Sequence, residues 1–166
     1  MAFRCLGVLS ALFACTVAGT AHAKPPIEPR AGLVLKGQIK FPRAQNMFVE
    51  TGAKDGSRLS VALGFHGKCK GGGLGEMWAS NVAAKPELSV RDGRFEGELT
   101  GTTRNVGGVS SRTGHFKWTF SGRFTDRDVA VATVDGTAEI RSGGKVISRC
   151  KISEPASVRL AVRSGA

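Results

Sequence analysis

The chain has 166 residues, with 24 Lys and Arg against 13 Asp and Glu and a formal net charge of +11. That length suits one ordinary domain able to bury a core of its own, so the fold need not lean on a metal or on many cross-links. The positive excess suits either a polyanionic neighbour or simply a surface kept soluble by charge, and the cations are scattered rather than massed in one run.

Arg4 is the sole charged residue before Lys24, and between them lies the apolar stretch "CLGVLSALFACTVAG" ending in "AHA" at residues 21–23. A basic start, a short apolar core and small residues at minus three and minus one describe a secretory signal peptide over residues 1–23, cleaved after Ala23. The run is too short and its far end too polar for a spanning helix, so no transmembrane segment is expected. A lipoprotein signal, with Cys15 modified after "LFA", is the alternative. Without Arg4 the mature chain keeps 23 basic against 13 acidic residues, a net charge of about +10. Of four cysteines it keeps Cys69 and Cys150, and a lone pair in an oxidising compartment reads first as one disulfide.

Residues 24–31, "KPPIEPRA", form a proline-rich leader, expected to be flexible or extended and neither helical nor part of an inner strand. Residues 32–166 read as a single β domain. "LVLKGQIKF" sets Leu33, Leu35, Ile39 and Phe41 on one face, against Lys36, Gln38 and Lys40. "NMFVET" is a weaker strand, and "GAKDGS" a turn. In "RLSVALGFHGKC", Leu59, Val61, Leu63, Phe65 and Cys69 alternate with Ser60, His66 and Lys68. "GEMWAS" is a short strand. "ELSVRDGRFEGEL" is a hairpin about Asp92-Gly93, a type I′ turn signal. "GTTRNVGGVSSRTG" reads as a long polar loop.

The clearest strand is "HFKWTFSGRF", with Phe116, Trp118, Phe120 and Phe124 on one face and His115, Lys117, Thr119 and Arg123 on the other. "VAVATVDGTAEI", "VISRCKI" and "ASVRLAVR" complete the set. About eight to ten strands with short turns and one wet face predict an all-β, antiparallel β-sandwich or small β-barrel.

Each chemical candidate is read against strand parity. Lys68 and Lys70 flank Cys69 and would activate a free thiol. Alternation, however, turns Cys69 inward with Phe65 and the lysines outward; Cys150 repeats this between Arg149 and Lys151. Two cysteines on apolar faces can meet across the core, closing a loop of about 80 residues. Gly71-Gly72-Gly73 leads into no helix start and follows Lys70 rather than preceding a lysine, so it reads as a turn and not a phosphate cradle. His66 and His115 are expected on wet faces, and no metal-ligand spacing accompanies them. Glu96 with Glu98, and Asp126 with Asp128, read as solvated carboxylates rather than an acid–base pair. No catalytic residue, metal site or cofactor is therefore expected.

Lys68, Lys70, Lys117, Arg123, Arg149, Lys151, Arg159 and Arg163 all lie on outer strand faces and are candidate contacts for an anionic envelope polymer or other polyanion. There is no tyrosine, and Trp118 and its phenylalanines face inward, so stacking on bases or sugars has little support and no specific nucleic-acid partner is expected.

The run "LSVALGFHGKC", "FEGELTG", "FSGRF", "VDGTAEI" and "CKISEPASVRLAVR" resembles a broad set of small exported bacterial all-β proteins with a single disulfide between matching positions and no assigned activity. The resemblance covers residues 33–163. It implies a Cys69–Cys150 bridge and no catalytic residue. Leu160 stands where such proteins often carry an aromatic. The expectation is thus a secreted, non-catalytic module with polyanion contact. The alternatives are a calycin-like barrel binding a small ligand among Phe116, Trp118 and Phe120, or an extracellular hydrolase.

Overall fold

The computed structural model describes residues 25–39 and 45–162. The expected signal segment, Lys40, Phe41 and Arg163 lie outside these. Among the described residues nine strands account for the regular structure, apart from a 3₁₀ turn at Val106–Gly108. They are β1 (Val34–Ile39), β2 (Gln45–Thr51), β3 (Arg58–Lys70), β4 (Glu76–Arg91), β5 (Arg94–Arg104), β6 (Arg112–Asp126), β7 (Val129–Ser142), β8 (Lys145–Lys151) and β9 (Ala156–Val162).

Alternation drives these strands. Along β6, Phe116, Trp118, Phe120 and Phe124 are buried while His115, Lys117, Thr119 and Arg123 are exposed. One face thus removes apolar surface from water and the other keeps its charges wet. At the β4–β5 hairpin, Asp92 and Gly93 take φ of 51° and 69°, the left-handed pair that a two-residue type I′ turn requires.

Strands β1 to β7 form an antiparallel meander whose hydrogen bonding closes on itself, so of the two expected architectures the ring is the one seen. The closure has two parts. At one end, β7 pairs with β9 through Val129–Val134, β9 with β1, and β2 with β3 through Leu59–Thr51 and its neighbours, making an eight-strand ring. At the other end, β8 alone spans from β7 (Thr137–Ser142) to β3 (Lys68–Lys70), making a six-strand ring. The molecule is therefore a tapered barrel with a wide and a narrow end. Strands β8 and β9 lie one after the other along β7. The segment 152–155, containing Pro155, interrupts them where the outer neighbour changes from β3 to β1.

Aromatic side chains fill the interior. The Phe116 ring stacks on Trp118 at 5.1 Å between centroids and meets Phe65 at 5.3 Å. Phe95 packs on Phe120 at 5.2 Å and edge-on to Phe124 at 5.8 Å. Trp118, Phe65 and Phe120 are wholly buried, with Leu63, Leu99, Ile140 and Leu160 around them.

Three elements differ from expectation. The leader, described from Pro25, does not hang free: Pro29 is buried and Ile27 packs against the core. The Arg30 amide donates to the Arg127 carbonyl at 3.1 Å, and the Thr51 hydroxyl donates to the Arg30 carbonyl at 2.7 Å. The extended leader thus uses both of Arg30's backbone groups, its N–H on a carbonyl of the β6–β7 turn and its carbonyl on a hydroxyl at the end of β2. The second difference is β4, a single strand of 16 residues rather than a short strand and a separate hairpin arm. Ser80 and Asn81 bulge out opposite Gly64, and the β4–β5 ladder is unpaired across 86–89, where Pro86 has no N–H to give. Both interruptions hide its period. Third, the long polar loop shrinks to residues 105–111, because β5 and β6 extend their pairing to Arg104 and Thr113.

Candidate anion-binding face

The disulfide joins Cys69 to Cys150, 81 residues apart. The two residues are not on opposite walls of the core. They face each other in register on neighbouring strands β3 and β8, with Cα atoms 3.9 Å apart. Both still point inward, as parity requires: Cys150 belongs to the core and Cys69 packs against it.

That register fixes what lies outside. Residues on either side of a cysteine point to the other face. Lys68 is therefore directly opposite Lys151, and Lys70 directly opposite Arg149, with the disulfide between the two pairs. Like charges directly opposed on a sheet repel. Pairing carries both rows onward across β8 to β7 and β6. Lys151 faces Thr137, which faces Lys117; Arg149 faces Glu139, which faces His115. Lys68, Lys70, Lys117, Arg149 and Lys151 thus share one outer face near the narrow end. A groove of about 700 Å³ runs along it, lined by Lys68, Lys70, Thr137, Ile147, Arg149 and Lys151 among others.

One carboxylate enters this groove. Glu139 accepts from Arg141 at 2.8 Å and lies 3.4 Å from the Arg149 Nε. Its hydrogen bond with Arg141, helped by the charges of Arg141 and Arg149 and opposed by partial desolvation, holds its carboxyl below the ordinary value of 4.5. Lys117 is paired with Glu98 at 2.9 Å. Among the described residues, Lys68, Lys70 and Lys151 make no ion pair.

The remaining expected contacts lie elsewhere. Arg123 faces Arg94 on one side and Val131 on the other, and Val131 faces Arg159, giving an arginine row nearer the wide end. This row borders a separate groove of about 1100 Å³ that also holds Glu87, Glu96 and Glu98, so its charge is mixed. The structure therefore does not gather the predicted cations into one patch.

The glycine run is a turn: Gly71, Gly72 and Gly73 take φ of 88°, 61° and 67°, and the first two pass over the Ile147 carbonyl of β8. Glu96 lines the wide-end groove, and Asp126 accepts from the Arg127 amide in the β6–β7 turn. His115 is exposed as expected, 3.4 Å from the Thr113 hydroxyl. His66 is not on a wet face. It points outward by parity, yet its side chain is only 5% exposed, and its Nε2 lies 3.4 Å from Glu76. Its cross-strand partner is Trp78, a large side chain on the same outer face.

Trp78 is the residue that the sequence reading passed over. It is 61% exposed, against none for Trp118. The signal was present in "GEMWAS", where Met77 and Ala79 go inward and Glu76, Trp78 and Ser80 share the other parity. Among the described residues no cluster of three His, Cys, Asp or Glu is arranged to hold a metal, and no helix is long and apolar enough to cross a membrane. No family model, curated protein or solved structure matches the chain.

Proposed function

We propose that this is an exported, non-catalytic binding module that holds a polyanion on the outer face of β3 and β8. The observation that carries the reading is the pair of opposed cations, Lys68 with Lys151 and Lys70 with Arg149, locked in register by the disulfide between them. Such an arrangement holds like charges together when empty, and an anion lying along the strands relieves their repulsion. The N-terminal segment with its A-x-A site and the disulfide support export to an oxidising compartment. Close aromatic packing of Phe116, Trp118 and Phe120 gives a ligand-filled interior no support.

Retention on immobilised heparin tests the reading. The mature protein is expected to bind at low salt and elute as salt screens the face. The variant K68Q/K151Q is expected to elute at clearly lower salt, and R123Q/R159Q to behave closer to the parent. Failure of the parent to bind at low salt, or equal effects of the two variants, refutes the proposal.

A further inference from the structure

Resting on that reading, we infer that the polyanion is an acidic polysaccharide and that Trp78 stacks against one of its sugar rings at the end of the cation row. Lys68 faces Lys151 on one side and Glu76 on the other, and Trp78 follows Glu76 by two residues on the same outer face of β4. Lys68 and Trp78 are therefore diagonal neighbours, roughly 7–8 Å apart at the backbone. A chain laid across β8 and β3 meets Lys151, then Lys68, then the indole.

An indole that is 61% exposed in water gains by covering a flat apolar face. Beside it lies a cleft of about 430 Å³, bordered by Thr103, Arg104 and Asn105. Hydroxyl, guanidinium and amide groups suit the hydroxyls and ring substituents of a sugar. The Glu76 carboxylate, held toward His66 at 3.4 Å, stands at the foot of the indole. It can accept hydrogen bonds from sugar hydroxyls. Single-stranded nucleic acid is favoured instead by successive aromatic platforms, whereas Trp78 is the one exposed aromatic among the described residues. A saccharide bearing carboxylates or sulfates satisfies both halves of the surface: rings for the indole, charges for the ladder.

Trp78 and Trp118 are the two tryptophans of the chain, one exposed and one buried, so ligand-induced fluorescence reports on Trp78 and is absent from W78A. The mature protein is titrated at low salt with alginate oligosaccharide, inorganic polyphosphate and a thymidine oligonucleotide. The expected result is a Trp78 emission change with alginate and about a tenfold loss of alginate affinity in W78A, the lower end of what one stacked ring contributes. W78F should recover part of it, and polyphosphate affinity should not depend on residue 78. The exposed position means that W78A folds, which circular dichroism checks. If W78A binds alginate as well as the parent does, or loses polyphosphate equally, the stacking inference fails, while the ladder reading survives provided K68Q/K151Q weakens both. A Trp78-dependent response to the oligonucleotide and none to alginate also overturns the inference. If none of the three anions binds, both readings fall.

Discussion

Replacing both bridge cysteines, C69A/C150A, tests two consequences of the disulfide at once. The bridge closes 81 residues. In the chain-entropy model that removes about 15 cal/mol/K from the unfolded ensemble, or about 4.5 kcal/mol at 25 °C. The second consequence follows from the opposed cations. Two like-charged heads roughly 8 Å apart in water repel by about 0.5 kcal/mol, so the Lys68–Lys151 and Lys70–Arg149 pairs together cost about 1 kcal/mol at low salt. In the oxidised protein this repulsion largely cancels, because the bridge keeps all four residues together after unfolding as well. In the variant, unfolding separates them. Its stability should therefore rise with salt by about 1 kcal/mol more than the parent's as the Debye length shrinks from about 30 Å to about 3 Å. Urea denaturation, an uncharged perturbation, measures both quantities across a salt series. A low-salt loss under about 1 kcal/mol refutes the entropic estimate, and parallel salt dependences refute the account of the ladder.

Gly136 faces inward where an added Cβ stands 2.7 Å from the Trp118 ring and 3.0 Å from the Lys117 carbonyl, so Gly136→Ala should destabilise by about 1–3 kcal/mol. Gly75, with nothing within 4 Å, is the control, and its alanine variant should lie within about 0.5 kcal/mol of the parent by thermal denaturation. Glu139 titrates below 4.5 in the folded protein because Arg141 and Arg149 favour its anion. Its contribution to stability is therefore present above 4.5 and is lost as the pH falls through the lowered value. The stability gap between the parent and E139Q should accordingly close on acidification, and a gap that stays constant across that range contradicts the assignment.

Strands with an unbroken period of two were legible from the residues alone. In β6 and the first half of β3 the alternation places every large apolar side chain correctly, and the same parity puts Cys69 and Cys150 inward and their flanking cations outward. What local pattern does not carry is which strand lies beside which. The pairing of β8 with both β7 and β3, which turns four scattered basic residues into two opposed pairs, is a long-range fact. So is the separation of Arg123 and Arg159 from the other cations. Strand β4 was lost for a different reason. Its bulge at Ser80–Asn81 shifts the phase and the exposed proline at 86 interrupts the alternation, leaving a short strand and a separate hairpin arm where there is one strand, and Trp78 sits before the bulge. The leader lies outside the strands, as its prolines imply, but proline content says nothing of the hydrogen bonds by which Arg30 ties it to Arg127 and Thr51.

The wide end of the barrel is sealed by β1 against β9, the first and last strands of the sheet. A chain synthesised from its N-terminus thus delivers this closing strand after the other eight described strands. Until β9 arrives, β1 and the first half of β7 each show an open edge, the kind of edge on which strands of other molecules add. Cys69 also waits for a partner that emerges 81 residues later. The ring cannot close before that last strand is available, and the period of greatest exposure to misassembly falls before then.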